Sequence, residues 1–309
     1  MIYIYDNGQD NSIEIRKSLE QKLFKAGYTV SDSYHSDDEL IVCIGGDGAL
    51  LSMLAELDFP DIPIVGVNTG HLGFFQELCA SDFDEFIYKF KKNEYRIQNY
   101  RSVYGQIVLN DDRGLNDDRG ALSATPSIET TTETTEDTSA ETTTETTADT
   151  LTDTSAYTSI NVRGLNEIII KGAHSHAAHL NIFIGDNFIE RFSGDGIAVS
   201  TAAGSTALNY ALGGAIVDPR LSLLQVTPIA PINSSAYRSF TSSLLLPPDM
   251  KISVYPEYLK SHELAIVVDG VEQRYEDVQE VHIGFSDSDV EIIRFSDYEF
   301  WKTVKKKLL

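Results

Sequence analysis

Three stretches of this 309-residue chain combine residue types that can do chemistry. The first, Gly45-Gly46-Asp47-Gly48, directly follows the apolar run Leu40–Ile44 and precedes a helix expected from about Ala49. Three glycines let a ligand approach the backbone, and the free amides of a helix N-terminus suit phosphate. A carboxylate among such glycines repels phosphate unless it serves a metal ion or takes a proton from an attacking hydroxyl. Asp47 is therefore the candidate catalytic residue, with Gly45, Gly46 and Gly48 as candidate phosphate contacts. The bland reading of the same four residues is a tight turn. The spacing is not G-x-G-x-x-G, and no GK[ST] follows, so neither the dinucleotide fingerprint nor the P-loop is present.

The second stretch, Asn68-Thr69-Gly70-His71-Leu72-Gly73-Phe74-Phe75, again follows an apolar strand, 62–67. Its glycines bracket polar groups and lead into two rings that can face a planar base or enter the core. Asn166-Glu167 opens a strand over 168–171; an adjacent amide and carboxylate can grip a vicinal diol or simply face solvent. The third stretch runs from Gly194-Asp195-Gly196 through Ser200-Thr201-Ala202-Ala203-Gly204-Ser205-Thr206-Ala207. It reads as a strand, a hydroxyl-rich loop and a helix over 206–212, which makes another anion or ribose site. His174, His176 and His179 suggest metal ligands. On a strand, however, 179 faces away from 174 and 176, and no cysteine or nearby carboxylate completes a tetrahedral set. A solvated strand end is expected there, and no protein side chain is assigned to a metal.

The elements that must position these residues fall into two rhythms. Over 1–100, short apolar runs alternate with helical spacing: Ile2–Tyr5, then Ile15, Leu19, Leu23 and Phe24 behind a cap at Asn11 or Ser12, with Gly27 as the stop. Ser81 is the expected cap of a further helix carrying Phe83, Phe86, Ile87 and Phe90. Alternation of this kind predicts a parallel sheet covered on both faces. From about Val103 the runs are short and β-like, at 103–109, 167–171, 180–184, 188–192, 197–200, 252–255, 264–268 and 290–295. Hairpin turns are expected at Gly185-Asp186-Asn187 and Asp269-Gly270. Tyr298–Leu309 reads as a terminal helix docking Phe300, Trp301, Val304 and Leu308 on the body.

Between these rhythms LNDDRG occurs twice in tandem, at 109–114 and 115–120. Residues 121–160 hold 16 threonines, eight acidic residues and no Lys or Arg. So few large apolar groups cannot offset an ordering entropy of about 1–2 kcal/mol per residue, and 110–160 is expected to be a disordered insertion in a β-hairpin. The whole chain carries a formal charge of −23, which opposes nonspecific binding to nucleic acid or to an anionic membrane. A polyphosphate substrate must then be held by local groups. No apolar run approaches the roughly 20 residues of a membrane span. Cys43 and Cys79 form no CxxC, and MIYIYDNGQD lacks a basic, cleavable leader, so a cytoplasmic protein is expected.

GGDG at 45–48, NTGHLGF at 68–74, NE at 166–167 and the GDG…GSTA run at 194–207, in this order, resemble the NAD kinase family. The resemblance covers nearly the whole chain apart from the enlarged 109–161 gap. GGDG alone would be shared with diacylglycerol and sphingosine kinases and with 6-phosphofructokinases. The resemblance implies an α/β domain with a parallel sheet over 1–100, a β-rich NAD-binding domain over 101–296, and a chain end, 297–309, that returns to the first. It implies transfer of the ATP γ-phosphoryl group to the 2′-hydroxyl of the adenosine ribose of NAD, with Mg²⁺ or another divalent cation accompanying ATP. Asp47 then resembles the carboxylate that orients or deprotonates that hydroxyl, and Phe74 the adenine-pocket residue. Asn166 and Glu167 are similar to the family's nucleotide-gripping pair, and Thr206 and Ala207 to its adenine-side loop. Asp195 resembles an aspartate near the nicotinamide, often reached across a subunit contact, so a homodimer or homotetramer is implied. Departures are Ala49, Ala202, Ala203 and Leu208, where the family commonly has Thr, Pro, Thr or Ser, and an aromatic. A GGDG-type lipid kinase and a catalytically silent NAD-binding regulator are the alternatives.

Overall fold

Apolar spacing sets the first hundred residues. In the computed structural model they form β1 (Ile2–Asp6), α1 (Asp10–Lys25), β2 (Val30–Ser31), β3 (Leu40–Ile44), α2 (Asp47–Glu56), β4 (Ile64–Val67), β5 (Gln76–Leu78) and α3 (Phe83–Lys91). The structure describes residues 1–70, 73–110, 157–233, 238–257, 263–295 and 300–309. His71, Leu72 and most of the expected disordered insertion, 111–156, lie outside the described residues. Strands β1 to β4 pair in parallel, with β3 central and every one of its residues buried. That burial requires cover on both faces. Leu19 and Leu23 of α1 join Phe83, Phe86, Ile87 and Phe90 of α3 on one face, while Ala49, Leu50, Met53 and Leu54 of α2 pack on the other.

Three local expectations need correction. Helix α1 begins at Asp10 behind Gln9, not behind Asn11 or Ser12. Asp6 and Asn7 already accept the amides of Gly8 and Gln9, so the turn into the helix is complete one residue earlier. Phe24 is 81% exposed, because it falls about 100° around the helix from buried Leu23. Ser81 does not cap α3; a 3₁₀ turn over Ala80–Asp82 intervenes, closed by the Asp82 carboxylate accepting the Cys79 amide at 2.8 Å.

The rest of the chain adds β6 (Arg96–Asn110), β7 (Tyr157–Gly164), β8 (Glu167–Gly172), β9 (Ala178–Ile184), β10 (Asn187–Gly194) and β11 (Gly196–Thr201). After the one-turn α4 (Leu208–Ala211) come β12 (Leu224–Ile229), β13 (Leu244–Leu246), β14 (Ile252–Pro256), β15 (Leu264–Val268), β16 (Val271–Tyr275), β17 (Val278–Arg294) and α5 (Phe300–Lys307). Among the described residues one sheet runs β10-β9-β14-β17-β4-β3-β1-β2, with β5 on β4, β6 on β17 and β7 on β6. A second runs β13-β12-β11-β8-β15-β16. Val103, Ile107, Leu180 and Ile182 of the first sheet face Ile168, Ile170, Ile197 and Val199 of the second across a shared apolar core.

Long β17 is the seam. Its first part pairs antiparallel with β14, and its last turns parallel to β4 at Ile292 opposite Ile64. The fold class is thus the expected one: an α/β N-terminal half on a parallel sheet and a β-rich C-terminal half. The helix expected over 206–212 is instead a 3₁₀ turn, Ala203–Thr206, followed by α4, because Ala207 (φ −93°, ψ −136°) breaks the helical path. His174 lies in a 3₁₀ turn, not a strand, and its Nε2 is 2.7 Å from Glu263 Oε2.

Candidate active site

Asp47 opens α2 immediately beyond the C-terminal end of β3, with Gly46 as the N-cap. Gly45 has φ +155°, and a Cβ there would lie 2.4 Å from the Ala49 Cβ, so only glycine fits between strand and helix. A Cβ on Gly46 or Gly48 would meet nothing within 4 Å, which leaves open space beside the carboxylate. The second motif closes over it from the other side. Asp47 Oδ1 accepts the amides of Phe74 at 2.9 Å and Phe75 at 3.1 Å; Oδ2 shares the Phe74 amide at 3.0 Å and accepts Lys307 Nζ at 3.3 Å. Gly73 must lack a side chain here, since a Cβ would fall 2.3 Å from Asp47 Oδ1.

Two cations hold this arrangement, and sequence spacing exposed neither. Arg294, 1% exposed at the end of β17, donates to the carbonyls of Phe74 and Phe75, to Glu77 and to the Tyr100 hydroxyl. It fixes from behind the segment whose amides grip Asp47. Lys307 reaches Asp47 from the last turn of α5 and lies 4.6 Å from the Phe74 ring centre. Phe74 itself is buried against Phe300 and Val304 of α5.

Asn166 and Glu167 sit where β7 turns into β8. Both are buried, and Asn166 Oδ1 and Glu167 Oε2 have no hydrogen-bond partner among the described residues. The turn is shaped by Asp269, whose carboxylate accepts the amides of Leu165, Asn166 and Glu167 at 2.7, 2.8 and 3.1 Å. Asp269 is a third residue missed from sequence, where it read only as a hairpin turn. Burial, and then the neighbouring Asp269 charge, push the Glu167 carboxyl up to about 8. Burial raises Asp269 as well, opposed by its three amide donors.

The hydroxyl-rich loop packs on this pair. Thr201 Oγ1 donates to the Leu165 carbonyl at 2.7 Å, its amide donates to the Asn166 carbonyl at 2.9 Å, and a Cβ on Gly204 would fall 2.1 Å from that same carbonyl. Thr206 and Ala207, both half-buried, follow directly. Leu165 and Ala203 also pack in the same cluster as Ala49, Leu50 and Met53 of α2. One apolar cluster thereby joins the GGDG helix, the Asn-Glu turn and the loop at 200–207. Asp195 is not brought there. It is exposed at the opposite end of β11 from Thr201, roughly 17 Å along six strand residues.

Among the described residues no group of three or more His, Cys, Asp or Glu side chains is placed to hold a metal ion. Asp47, amide-rich turns and two cations make a site for a hydroxyl beside phosphate. Known proteins give the family. The family model described as the ATP-NAD kinase N-terminal domain matches residues 8–95, and that for the ATP-NAD kinase C-terminal domain matches 165–295. A NAD kinase of Finegoldia magna is 32% identical, aligned over 100% of this chain and 98% of its own. One of Pediococcus pentosaceus is 28% identical over 100% and 97%. Among solved structures, yeast NADH kinase complexed with NADH superposes with a TM-score of 0.72 at 19% identity, covering 99% of this chain and 86% of that one. An Archaeoglobus fulgidus NAD kinase in complex with ATP gives 0.67 at 19%, covering 99% and 97%. Neither the lipid-kinase nor the silent-regulator alternative finds support. With both halves matched and a full-length relative at that identity, this chain belongs to the NAD kinase family.

Proposed function

We propose that this protein is a NAD kinase that transfers the γ-phosphoryl group of ATP to the 2′-hydroxyl of the adenosine ribose of NAD. The observation that carries the role of Asp47 is its grip. The Phe75 amide on Oδ1 and the Phe74 amide shared by both oxygens hold the carboxylate in one orientation at the start of α2. A fixed carboxylate aligns the hydroxyl and accepts its proton as the ribose oxygen bonds to phosphorus and ADP departs with the bridging electron pair. Asn166 and the buried Glu167 offer two unpartnered oxygens to the nucleoside's hydroxyl or amino donors. The donor set fits a divalent cation that arrives on the triphosphate, not one resident on the protein; when bound, Mg²⁺ neutralises the phosphate charge.

Three finer statements belong to the same proposal. Asp195, exposed and far from Glu167 along β11, is accessible to a nicotinamide end held by another copy, which fits a homodimer or homotetramer. Both cysteines are free thiols, consistent with a cytoplasmic location. Among the described residues no helix is long and apolar enough to cross a membrane.

The test is NADP formation from ATP, Mg²⁺ and NAD by the purified protein. Asp47→Asn keeps the shape and loses the proton acceptor, and kcat is expected to fall by about 10²–10⁴. Unchanged turnover by that variant would remove Asp47 from the chemistry.

A further inference from the structure

The transfer described above gives Lys307 no step, yet it occupies the catalytic carboxylate. A carboxylate offers about four acceptor positions on its two oxygens. At Asp47 the Phe74 and Phe75 amides fill those of Oδ1, and the shared Phe74 amide and Lys307 Nζ fill those of Oδ2. A substrate hydroxyl reaching Oδ2 must therefore displace the ammonium. The lysine cannot go far. Phe300 and Val304 seat α5 on Phe74, and Trp301 Nε1 donates to Asp218 Oδ2 at 3.2 Å. Tyr210 donates its hydroxyl to the Leu308 carbonyl at 3.4 Å. These contacts tie the helix both to the loop over Asp47 and to the chain following the hydroxyl-rich loop.

The displaced cation would then stand where a phosphoryl group meets the hydroxyl. In a chain of formal charge −23 no general field attracts a triphosphate, so a placed cation matters more than usual. We propose that Lys307 is a phosphoryl-binding residue. In the free protein it neutralises Asp47. When the ribose hydroxyl takes Oδ2, it transfers its N–H donors to the non-bridging oxygens of the phosphoryl group in transit. The ribose O–P bond forms, the bond to the β-phosphate oxygen breaks, ADP leaves with the electron pair, and the hydroxyl proton goes to Asp47. The lysine exchanges hydrogen bonds only. The inference rests on the kinase reading and assigns to it a cation from the far end of the chain.

Lys307→Met, Lys307→Gln and Lys307→Arg in the full chain test it, with kcat and the KM values for MgATP and NAD measured separately. Calorimetry adds the affinity for a β,γ-imido ATP–Mg²⁺ complex, and thermal melting checks the fold. Charge-assisted bonds to phosphate predict about a tenfold loss of analogue affinity and about a hundredfold loss of kcat/KM for ATP in both neutral variants. The arginine variant should stay within about fivefold of the parent, and NAD affinity without ATP should hold or tighten. Neutral variants within twofold of the parent in kcat and analogue affinity would overturn the proposal. A rise in kcat would overturn it too, since Lys307 would then only obstruct Asp47. If the Met variant melts early, the Gln variant, which keeps a hydrogen-bond donor without charge, decides in the same terms. The parent is the control: no NADP from it defeats the kinase reading, whereas equal NADP from parent and Lys307→Met defeats this inference alone.

Discussion

Glu167 shows how this site places a carboxylate where water cannot stabilise its charge. It is 4% exposed, one oxygen lacks a partner among the described residues, and Asp269 is close enough to oppose ionisation. Its folded-state pKa rises from 4.5 to about 8, so between those values the native chain holds a proton that the unfolded chain has released. Stability is then full below about pH 4.5 and falls as pH climbs toward 8, the reverse of a salt-bridged acid. Glu167→Gln removes that titration. We expect the melting temperature of the variant minus that of the parent to grow by about 5 °C between pH 5 and pH 9. A difference that stays flat across the range, read by calorimetry, would contradict the burial argument. Asp47, Asn166 and Glu167 were visible in the sequence because each stands in a short glycine- or strand-marked motif. Lys307 and Asp269 were not: Lys307 meets Asp47 across 260 residues, and Asp269 meets Leu165 across 104. Local spacing carries no trace of contacts made by sheet topology.

At the scale of elements, β6 and β17 do most of the positioning. They pair from Leu109 opposite Val278 to Arg96 opposite Arg294, with register shifts at Gln279 and, more widely, at 286–288. That polar Ser-Asp-Ser stretch interrupts the apolar alternation, so the sequence displayed only the run 290–295, which overlaps the last five residues of a 17-residue strand. The 3.6-residue pattern of α3 survived in sequence because it buries a single face, whereas 206–212, expected as one helix, is cut to the one-turn α4 by the turn at 203–206, which is shaped by contacts with Asn166. Arg294 makes the long strand matter to chemistry. Its guanidinium enters a buried space between β5, β6 and the loop over Asp47, and one planar fork bonds two carbonyls, a carboxylate and a phenol. Arg294→Met keeps the volume and removes every donor. Breaking such a buried pair typically costs about 3–5 kcal/mol, to be read by urea unfolding. Because the Phe74 and Phe75 amides lose their backing, kcat should also fall at least about tenfold at temperatures where the variant is folded. Arg294→Lys, which restores charge without the fork, should recover less than half of the stability. Wild-type kcat in the folded Met variant would detach Arg294 from the site and leave it a core residue.

For the whole molecule the outstanding question is whether residues 111–156 contribute to catalysis, since they carry 12 of the 47 acidic residues and two of the 24 basic ones. Topology argues that they do not. The flanking strands remain paired to the last described residues, Asn110 opposite Tyr157, at the opposite end of β6 from Arg96, whose partner Arg294 backs the Asp47 loop. Antiparallel partners have Cα atoms about 4.5–5.5 Å apart, a gap that a two-residue Asn-Gly turn closes in the favoured hairpin geometry. Replacing 111–156 with Asn-Gly leaves 35 acidic and 22 basic residues, a formal charge of −13 in place of −23. Screening over about 8 Å at physiological salt confines the effect of the lost charge to nearby groups, and no motif residue is among those removed. The shortened chain should therefore form NADP with kcat and KM within about threefold of the parent at 0.15 M salt. Below 20 mM salt, weaker repulsion should lower its KM for ATP relative to the parent. Its stability should rise, by at most about 2–3 kcal/mol, because a shorter loop loses less closure entropy on folding. A deletion that melts like the parent yet loses more than tenfold in turnover would show that the segment reaches the nucleotide, and the site would then extend beyond the two matched halves of the chain.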